Sequence, residues 1–232
     1  VDKSRETNDM GRKPKRIRIE KAGRLPGKKS RIQVRNEQKI LASAEEVFAE
    51  YGFHGATIES IAAKADMSQP NVHHYFRRKS DLYEAVIRRT LDVWLAPLDQ
   101  FQSKADPAKV LSEYISAKFD LSRQYPAASR VFASEILQGA PVLMGYLIGD
   151  VKPRVRKAAS VIAQWARSGK IKAVDPYHLL FMIWATTQHY ADFQPQIRVV
   201  MGLTRFTRKD FEAAKRTATS IIIAGVLTTR PT

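Results

Sequence analysis

Apolar residues recur along this chain with the period of a helix, and the periodic stretches break at glycines, prolines and capping residues. From about residue 35, Ile40, Leu41, Ala44, Val47, Phe48 and Tyr51 fall on one helical face, and Gly52 supplies the stop. Thr57 is a good N-cap for a shorter helix with Ile58, Ile61, Ala62 and Ala65 on its inner face. Ser60 stands at its third position, where a capping-box Glu or Gln is usual. Asp66 and Met67 make a tight turn. Ser68 caps a third helix, with Pro70 in its first turn and Val72 and Phe76 pointing inward. Ser80 and Asp81 then lead into a long fourth helix, to about residue 101, which carries Leu82, Ala85, Val86, Leu91, Trp94 and Leu98.

The remainder reads the same way. Asp106-Pro107 opens a helix to about residue 124, and Tyr125-Pro126 opens another to about 138. Gly139-Ala140-Pro141 is a break. A long helix then runs to about 168, with Gly149 and Pro153 as irregular points and Gly169 as its end. Asp175-Pro176 caps a very apolar helix to about 193, and a last helix spans about 208–227. No β-run of any length appears, so the class is all-α.

Charge changes this picture in one respect. The formal net charge is +16, and residues 1–34 hold 12 Lys/Arg against four Asp/Glu with few large apolar residues. That segment cannot bury enough surface to offset its ordering entropy and reads as a flexible basic arm. Residues 35–82 are near neutral, and residues 83–232 are again basic. Such an excess favours a polyanionic partner, nucleic acid before an anionic membrane. The chain has no cysteine, which removes disulfide scaffolds, Cys-based zinc sites and thiol nucleophiles. Its longest apolar run, residues 179–185, is too short to span a bilayer, and the basic N-terminal segment has no apolar stretch behind it to make a signal peptide. The expectation is a protein of the cytoplasm with no membrane partner.

Two short helices joined by a tight turn and braced by a preceding helix are the skeleton of a helix-turn-helix, here residues 35–82. The stretch AEEVFAEYGFHGATIESIAAKADMSQPNVHHYFRRKSDL resembles the DNA-binding domain of the TetR family of bacterial repressors. Phe48, Gly52, Phe53, Ala56, Thr57, Ile61, Ala62, Ala65, Ser68, Val72, Tyr75, Phe76, Lys79 and Leu82 all stand in register with that pattern. The family often has Lys where Gln69 stands and Tyr-Tyr where His73-His74 stand, departures that bear on which operator is read.

The chemistry of these positions can be argued separately. Beginning at Ser68, the third helix aims Gln69, Pro70 and Asn71 at a major groove. The two amides can bond adenine N6 and N7, and the proline can rest on a thymine methyl. Thr57 and Lys79 open the second and fourth helices, where terminal amides and a basic side chain suit phosphate. His74 and Tyr75 resemble the family's phosphate-contacting pair. His73 and His74 diverge by about 100° around a helix and cannot share a metal ion.

Residues 83–232 are expected to bind an effector and to dimerise. YPAASRVFASEILQGAPVLMGYL, QWARSGKI, DPYHLLFMIWATTQHYADFQPQI and DVWLAPLDQF are similar to the pyrimidine-utilisation repressor branch of that family, which implies uracil or thymine as effector. Phe181, Trp184 and Gln188 follow one another up a helical face, and a ring beside an amide suits a small planar molecule with alternating N–H and C=O groups. Trp94, Ser134 and Trp165 are expected to close the cavity. The alternative is a related repressor sensing a lipophile or antibiotic, with a larger and more apolar pocket. His189, Tyr190 and Asp192 project in different directions and no nucleophile or metal-ligand motif accompanies them, so neither an enzyme, a metal nor a cofactor is expected. One recognition helix reads few base pairs, so a homodimer on a palindromic double-stranded operator follows. The stripe Phe211, Ala214, Ala218, Ile221, Ile222 and Gly225 pairs with the 175–193 helix across the two-fold axis.

Overall fold

The computed structural model describes residues 30–228, and these are helical almost throughout. The helices are α1 (Arg31–Gly55), α2 (Ile58–Lys64), α3 (Gln69–Tyr75), α4 (Lys79–Leu95), α5 (Pro107–Gln124), α6 (Pro126–Leu137), α7 (Met144–Tyr146), α8 (Lys152–Arg167), α9 (Pro176–Asp192), α10 (Gln194–Val200) and α11 (Arg208–Val226). Among the described residues the only β-type pairing is one antiparallel bridge between Ile171 and Leu227, and no helix is long and apolar enough to cross a membrane.

Local chemistry places most of the boundaries. Thr57 Oγ1 accepts from Ser60 N–H at 3.0 Å while Ser60 Oγ accepts from Thr57 N–H at 3.2 Å, so a serine closes the box where a longer side chain was expected. Gly52 takes φ +67° and ψ 178°, a conformation open essentially to glycine alone, and it breaks α1 before the last turn. The first helix starts four residues earlier than the apolar pattern implied. Ser30 caps it, and Gln33 reaches back to the Ser30 N–H at 2.8 Å. Residues 31–34, read as the end of the basic arm, are therefore helical, and the rest of the arm, residues 1–29, lies outside the described residues.

Two further departures have physical causes. The fourth helix stops at Leu95 and continues as a 3-10 turn (Ala96–Gln100), since Pro97 cannot carry an α-helix onward. Between α7 and α8 the chain makes a π-helical turn (Leu147–Val151) around Gly149, and Pro153 has no N–H to return to the Gly149 carbonyl. Helix α10, with Ile197 its one buried residue, was not anticipated.

Buried side chains run without interruption from Ile40 to Val226, so the helix-turn-helix and the larger domain share one core. Helix α1 lies on α6 as well as on α4, α5 is packed between α9 and α11, and α4 bridges the two regions. Tyr83 on α4 meets the rings of Phe48 and Phe53, each with centroids 4.9 Å away, and this aromatic cluster seats the helix-turn-helix on α4.

Candidate functional site

The first site is the exposed edge of α3. Val72 and Phe76 turn into the core, which leaves Gln69, Pro70, Asn71, His73 and His74 on the surface. Ser68 Oγ takes the Asn71 N–H at 3.4 Å and so caps the helix without using the Asn71 amide. Tyr75 is half-buried and its hydroxyl accepts from Asn36 Nδ2 at 3.3 Å, which pins the end of α3 to α1, while His74 stands edge-on to it. Thr57 is exposed at the start of α2.

Lys79, expected at a phosphate, also makes contacts within the fold. Its ammonium donates to the carbonyls of Ala56 (2.8 Å) and His54 (3.4 Å) and lies 4.7 Å from the centre of the Phe53 ring. Two of its three donors brace the turn between α1 and α2, where they satisfy carbonyls left over by the end of α1. The exposed cations on this side are Arg77 and Arg78.

The second site is a cavity in the larger domain, enclosed by α4, the 3-10 turn, α5, α6, Val151 and α9. Leu91, Trp94, Leu95, Leu98, Tyr114, Lys118, Phe132, Val151, Trp184 and Gln188 line it. It brings together three of the six residues the sequence proposed, Trp94, Trp184 and Gln188. The other three lie elsewhere. Trp165 is fully buried, stacks 5.9 Å from Phe101 and donates its indole N–H to Ser103 O, so it is a core residue. Ser134 accepts from Gln138 Nε2 at 2.9 Å on the far end of α6. Phe181 is 48% exposed, a turn away from the cavity on the outer face of α9.

Tyr114 and Lys118 are the polar lining residues that the sequence reading missed; Leu91, Leu95, Leu98, Phe132 and Val151 are the apolar ones. The two polar residues stand four apart on α5, in a row with Val110, and a lysine where an apolar residue should continue a buried stripe was the available signal. Lys118 is 5% exposed, its Nζ lies 4.3 Å above the Trp94 ring, and burial pushes its ammonium down to about 7. Trp184 Nε1 donates to Tyr114 Oη at 2.6 Å, and burial holds the Tyr114 phenol well above its ordinary value. The open volume is about 50 Å³, far short of the roughly 300 Å³ at which ligand pockets usually begin.

A buried carboxylate connects this domain to α4. The left-handed turn at Gly139 (φ +87°) and Ala140 (φ +59°) folds the chain back over the end of α6. Glu135 Oε1 then accepts from the N–H groups of Val142 (2.5 Å) and Leu143 (3.0 Å), and Oε2 accepts from the Tyr83 hydroxyl at 2.9 Å. Nearby, the Tyr146 hydroxyl donates to Glu84 at 2.6 Å. Both pairs tie the segment after α6 to the half of α4 that carries the helix-turn-helix.

Comparison with known proteins gives two family matches. Residues 40–86 match the family model described as bacterial regulatory proteins, tetR family, and residues 87–229 match that of the YcdC-like protein C-terminal region. The chain is 44% identical over 205 residues to the HTH-type transcriptional regulator RutR of Escherichia coli K12, covering 88% of this chain and 97% of that one. It is 32% identical over 101 residues to the transcriptional activator FasR of Mycolicibacterium smegmatis, 43% of each chain. Among solved structures, the ketosteroid regulator KstR2 of Mycobacterium tuberculosis superposes with a TM-score of 0.68 at 19% identity, over 83% of this chain and 95% of that one, and shares the fold. A DNA-reading helix braced by two others, a helical domain with a lined cavity, and these two family matches place the chain in the TetR family of ligand-responsive transcriptional regulators, which are not enzymes.

Proposed function

We propose that this regulator binds a palindromic operator as a homodimer and that a pyrimidine base, uracil or thymine, entering the α4–α9 cavity sets its DNA affinity. The observation that carries the reading is the meeting of Trp94, Trp184 and Gln188 at one cavity. Two indoles border the space that a planar ring would enter, and the amide offers a donor and an acceptor to its edge. The resemblance of residues 36–226 to the pyrimidine-utilisation repressors supports the same effector. A cavity this small, with a lysine in its wall, does not suit a bulky lipophile.

The small volume also suggests the mechanism. A ring enters only as the lining side chains part, and Leu91, Trp94 and Leu95 belong to α4. Displacement of α4 swings a helix-turn-helix that is packed on Tyr83 at its other end. Two reading helices held off the spacing of about 34 Å between successive major grooves lose the operator. The extent of release follows from the difference in ligand affinity between the two conformers.

The partner copy is expected against α9 and α11. Phe211, Ala218 and Ile222 of the proposed α11 stripe turn into the chain's own core, but Ile221 is 68% exposed. Together with exposed Met182 it lines an apolar groove of about 470 Å³ between the two helices, and Tyr177 and Phe181 are exposed elsewhere on α9. Phe181, first assigned to the effector cavity, is expected instead among the exposed apolar residues of this dimer face.

Calorimetry with uracil, thymine, cytosine and uridine tests the effector. Trp184→Ala and Gln188→Ala are each expected to weaken uracil or thymine by about 1–3 kcal/mol while leaving operator binding intact. Binding weaker than millimolar to the wild type defeats the pyrimidine assignment and leaves the regulator standing. For DNA, Gln69→Ala or Asn71→Ala should leave the melting temperature unchanged, because among the described residues no hydrogen bond uses either side chain. Each should cost roughly 1–3 kcal/mol per half-site at the operator with non-specific binding nearly unaltered. An equal loss on random duplex would show that these residues hold the backbone and do not read bases.

A further inference from the structure

The positive charge of this chain does not sit on its helix-turn-helix. Residues 35–82 hold six Lys/Arg against seven Asp/Glu, whereas residues 151–174 hold seven Lys/Arg and no Asp/Glu. Most of that second stretch is α8. Val155, Ala158, Ile162 and Trp165 turn its inner side into the core. Lys152, Arg156, Lys157, Ser160, Gln164 and Arg167 are exposed, fall within about 140° of arc and run about 22 Å along the axis. Of the seven cations, Arg154 pairs with Asp99 at 4.0 Å and Lys172 donates to the Ala224 carbonyl at 3.2 Å. Lys152, Arg156, Lys157, Arg167 and Lys170 are exposed and carry no side-chain ion pair or hydrogen bond among the described residues. Lys152, Arg156 and Lys157 also line an open groove of about 690 Å³ with no carboxylate in its lining, and a cleft walled by one sign of charge focuses its field.

We propose that the exposed face of α8 is a second DNA-binding surface, which holds the phosphate backbone of a duplex segment other than the one read by α3. Its side chains are those that contact phosphate without reading bases: cations, a hydroxyl and an amide. Protein–protein interfaces are centred on apolar or aromatic anchors, and the only large apolar side chain exposed in the groove is Ile148. Position separates this face from the operator. The helix-turn-helix is seated on Tyr83 in the first turns of α4, whereas α8 is tied down beyond the other end of α4. Arg154 meets Asp99 in the 3-10 turn, and Trp165 meets the Ser103 carbonyl. With 17 residues, α4 alone puts about 25 Å between the two. A straight duplex lying on α3 passes out of reach of Arg156 and Arg167, so the phosphates they hold belong to another stretch. None of the α8 cations borders the α9–α11 groove where the partner copy is expected. A regulator with such a face joins two stretches of DNA, one read by sequence and one held by charge.

A two-duplex capture assay on the full chain tests this. The protein is loaded on a biotinylated duplex that it has itself selected from a random-sequence pool. Retention of a second, fluorescent duplex of unrelated sequence is then measured from about 50 to 200 mM salt. Wild type should retain the second duplex, less so as salt rises. Lys152→Glu, Arg156→Glu, Lys157→Glu and Arg167→Glu together should cut retention about tenfold or more at the low-salt end, and change affinity for the selected duplex by less than about threefold. Singly, Lys152→Gln, Arg156→Gln and Arg167→Gln should each lower the slope of log K against log salt by about 0.9, which keeps the test open should the Glu set melt early. Lys104→Glu, Arg205→Glu, Arg208→Glu and Lys209→Glu together, at equally exposed positions, change the net charge by the same amount and should leave retention near wild type. The inference is overturned if wild type holds no second duplex, or if the α8 variants hold it like wild type, which places the capture on another basic segment. It is also overturned if the control set loses as much, an effect of net charge alone. Poly-L-glutamate at equal charge concentration should displace the second duplex poorly; full displacement would assign the face to an acidic protein instead.

Discussion

Replacing Glu135 with alanine is expected to destabilise the protein by about 3–5 kcal/mol, a fall in melting temperature of roughly 6–20 °C. Glu135 is 2% exposed and is the only acceptor recorded for the Tyr83 hydroxyl and for the side-chain bonds of the Val142 and Leu143 amides. Those amides open the helical segment that begins at α7, where no preceding turn supplies carbonyls. Truncation leaves the buried Tyr83 and Leu143 donors and the part-buried Val142 donor without this acceptor, at about 1–3 kcal/mol for each one left wholly unpaired. Glu135→Gln keeps an oxygen for the two amides and should cost far less, about 1 kcal/mol. Urea unfolding of the two variants separates the cases. Equal losses would mean that the carboxylate matters for its charge and not for its acceptor geometry. Because Tyr83 also seats Phe48 and Phe53, the same substitution should loosen the helix-turn-helix relative to the effector domain.

Lys118→Met is expected to have the opposite sign, a gain of roughly 2–4 kcal/mol at pH 6, since a buried ammonium with no counter-charge is exchanged for an apolar chain of similar length. Burial lowers the native ammonium to about 7 against 10.5 for the free group. Between those values the unfolded chain binds the proton and the native chain does not, so wild-type stability rises with pH over about 7 to 10.5. Below 7 both states are charged and the full cost is present, on the order of 4–5 kcal/mol before the indole contact returns part of it. The advantage of the variant should therefore be largest at acid pH and shrink toward pH 10. The other titratable group of the cavity wall, Tyr114, is held above its ordinary range by burial and stays neutral throughout that window. A stability difference that is flat from pH 6 to 9.5 would place the wild-type ammonium in contact with water. A side chain kept at such a cost, in a wall that also holds the unpaired Trp94 indole N–H, is what a binding site looks like when stability and function compete.

The sequence by itself determined the helical class, the order of the longer helices and which residues stand on the exposed edge of α3. Each of these depends on near neighbours in the chain. Caps such as Ser68, Asp106 and Asp175 act within three residues, apolar faces repeat within a turn or two, and Gln69, Pro70 and Asn71 are displayed by a single short helix. The earlier start of α1 was also local, but its signal lay in Ser30 and Gln33, inside a stretch whose charge argued against order.

Tertiary structure decided the rest. Helical periodicity says that Trp94, Trp165 and Trp184 face inward, but not what each one meets. Trp165 met Phe101 and the Ser103 carbonyl and became core; the other two met across a cavity between α4 and α9. Lys118 and Tyr114 joined them from α5, and Glu135 found Tyr83 across 52 positions of chain. Such meetings are set by how helices distant in sequence pack, because burial fixes which polar groups must find partners, and only the packed chain shows which of them have found one and which are left for a ligand.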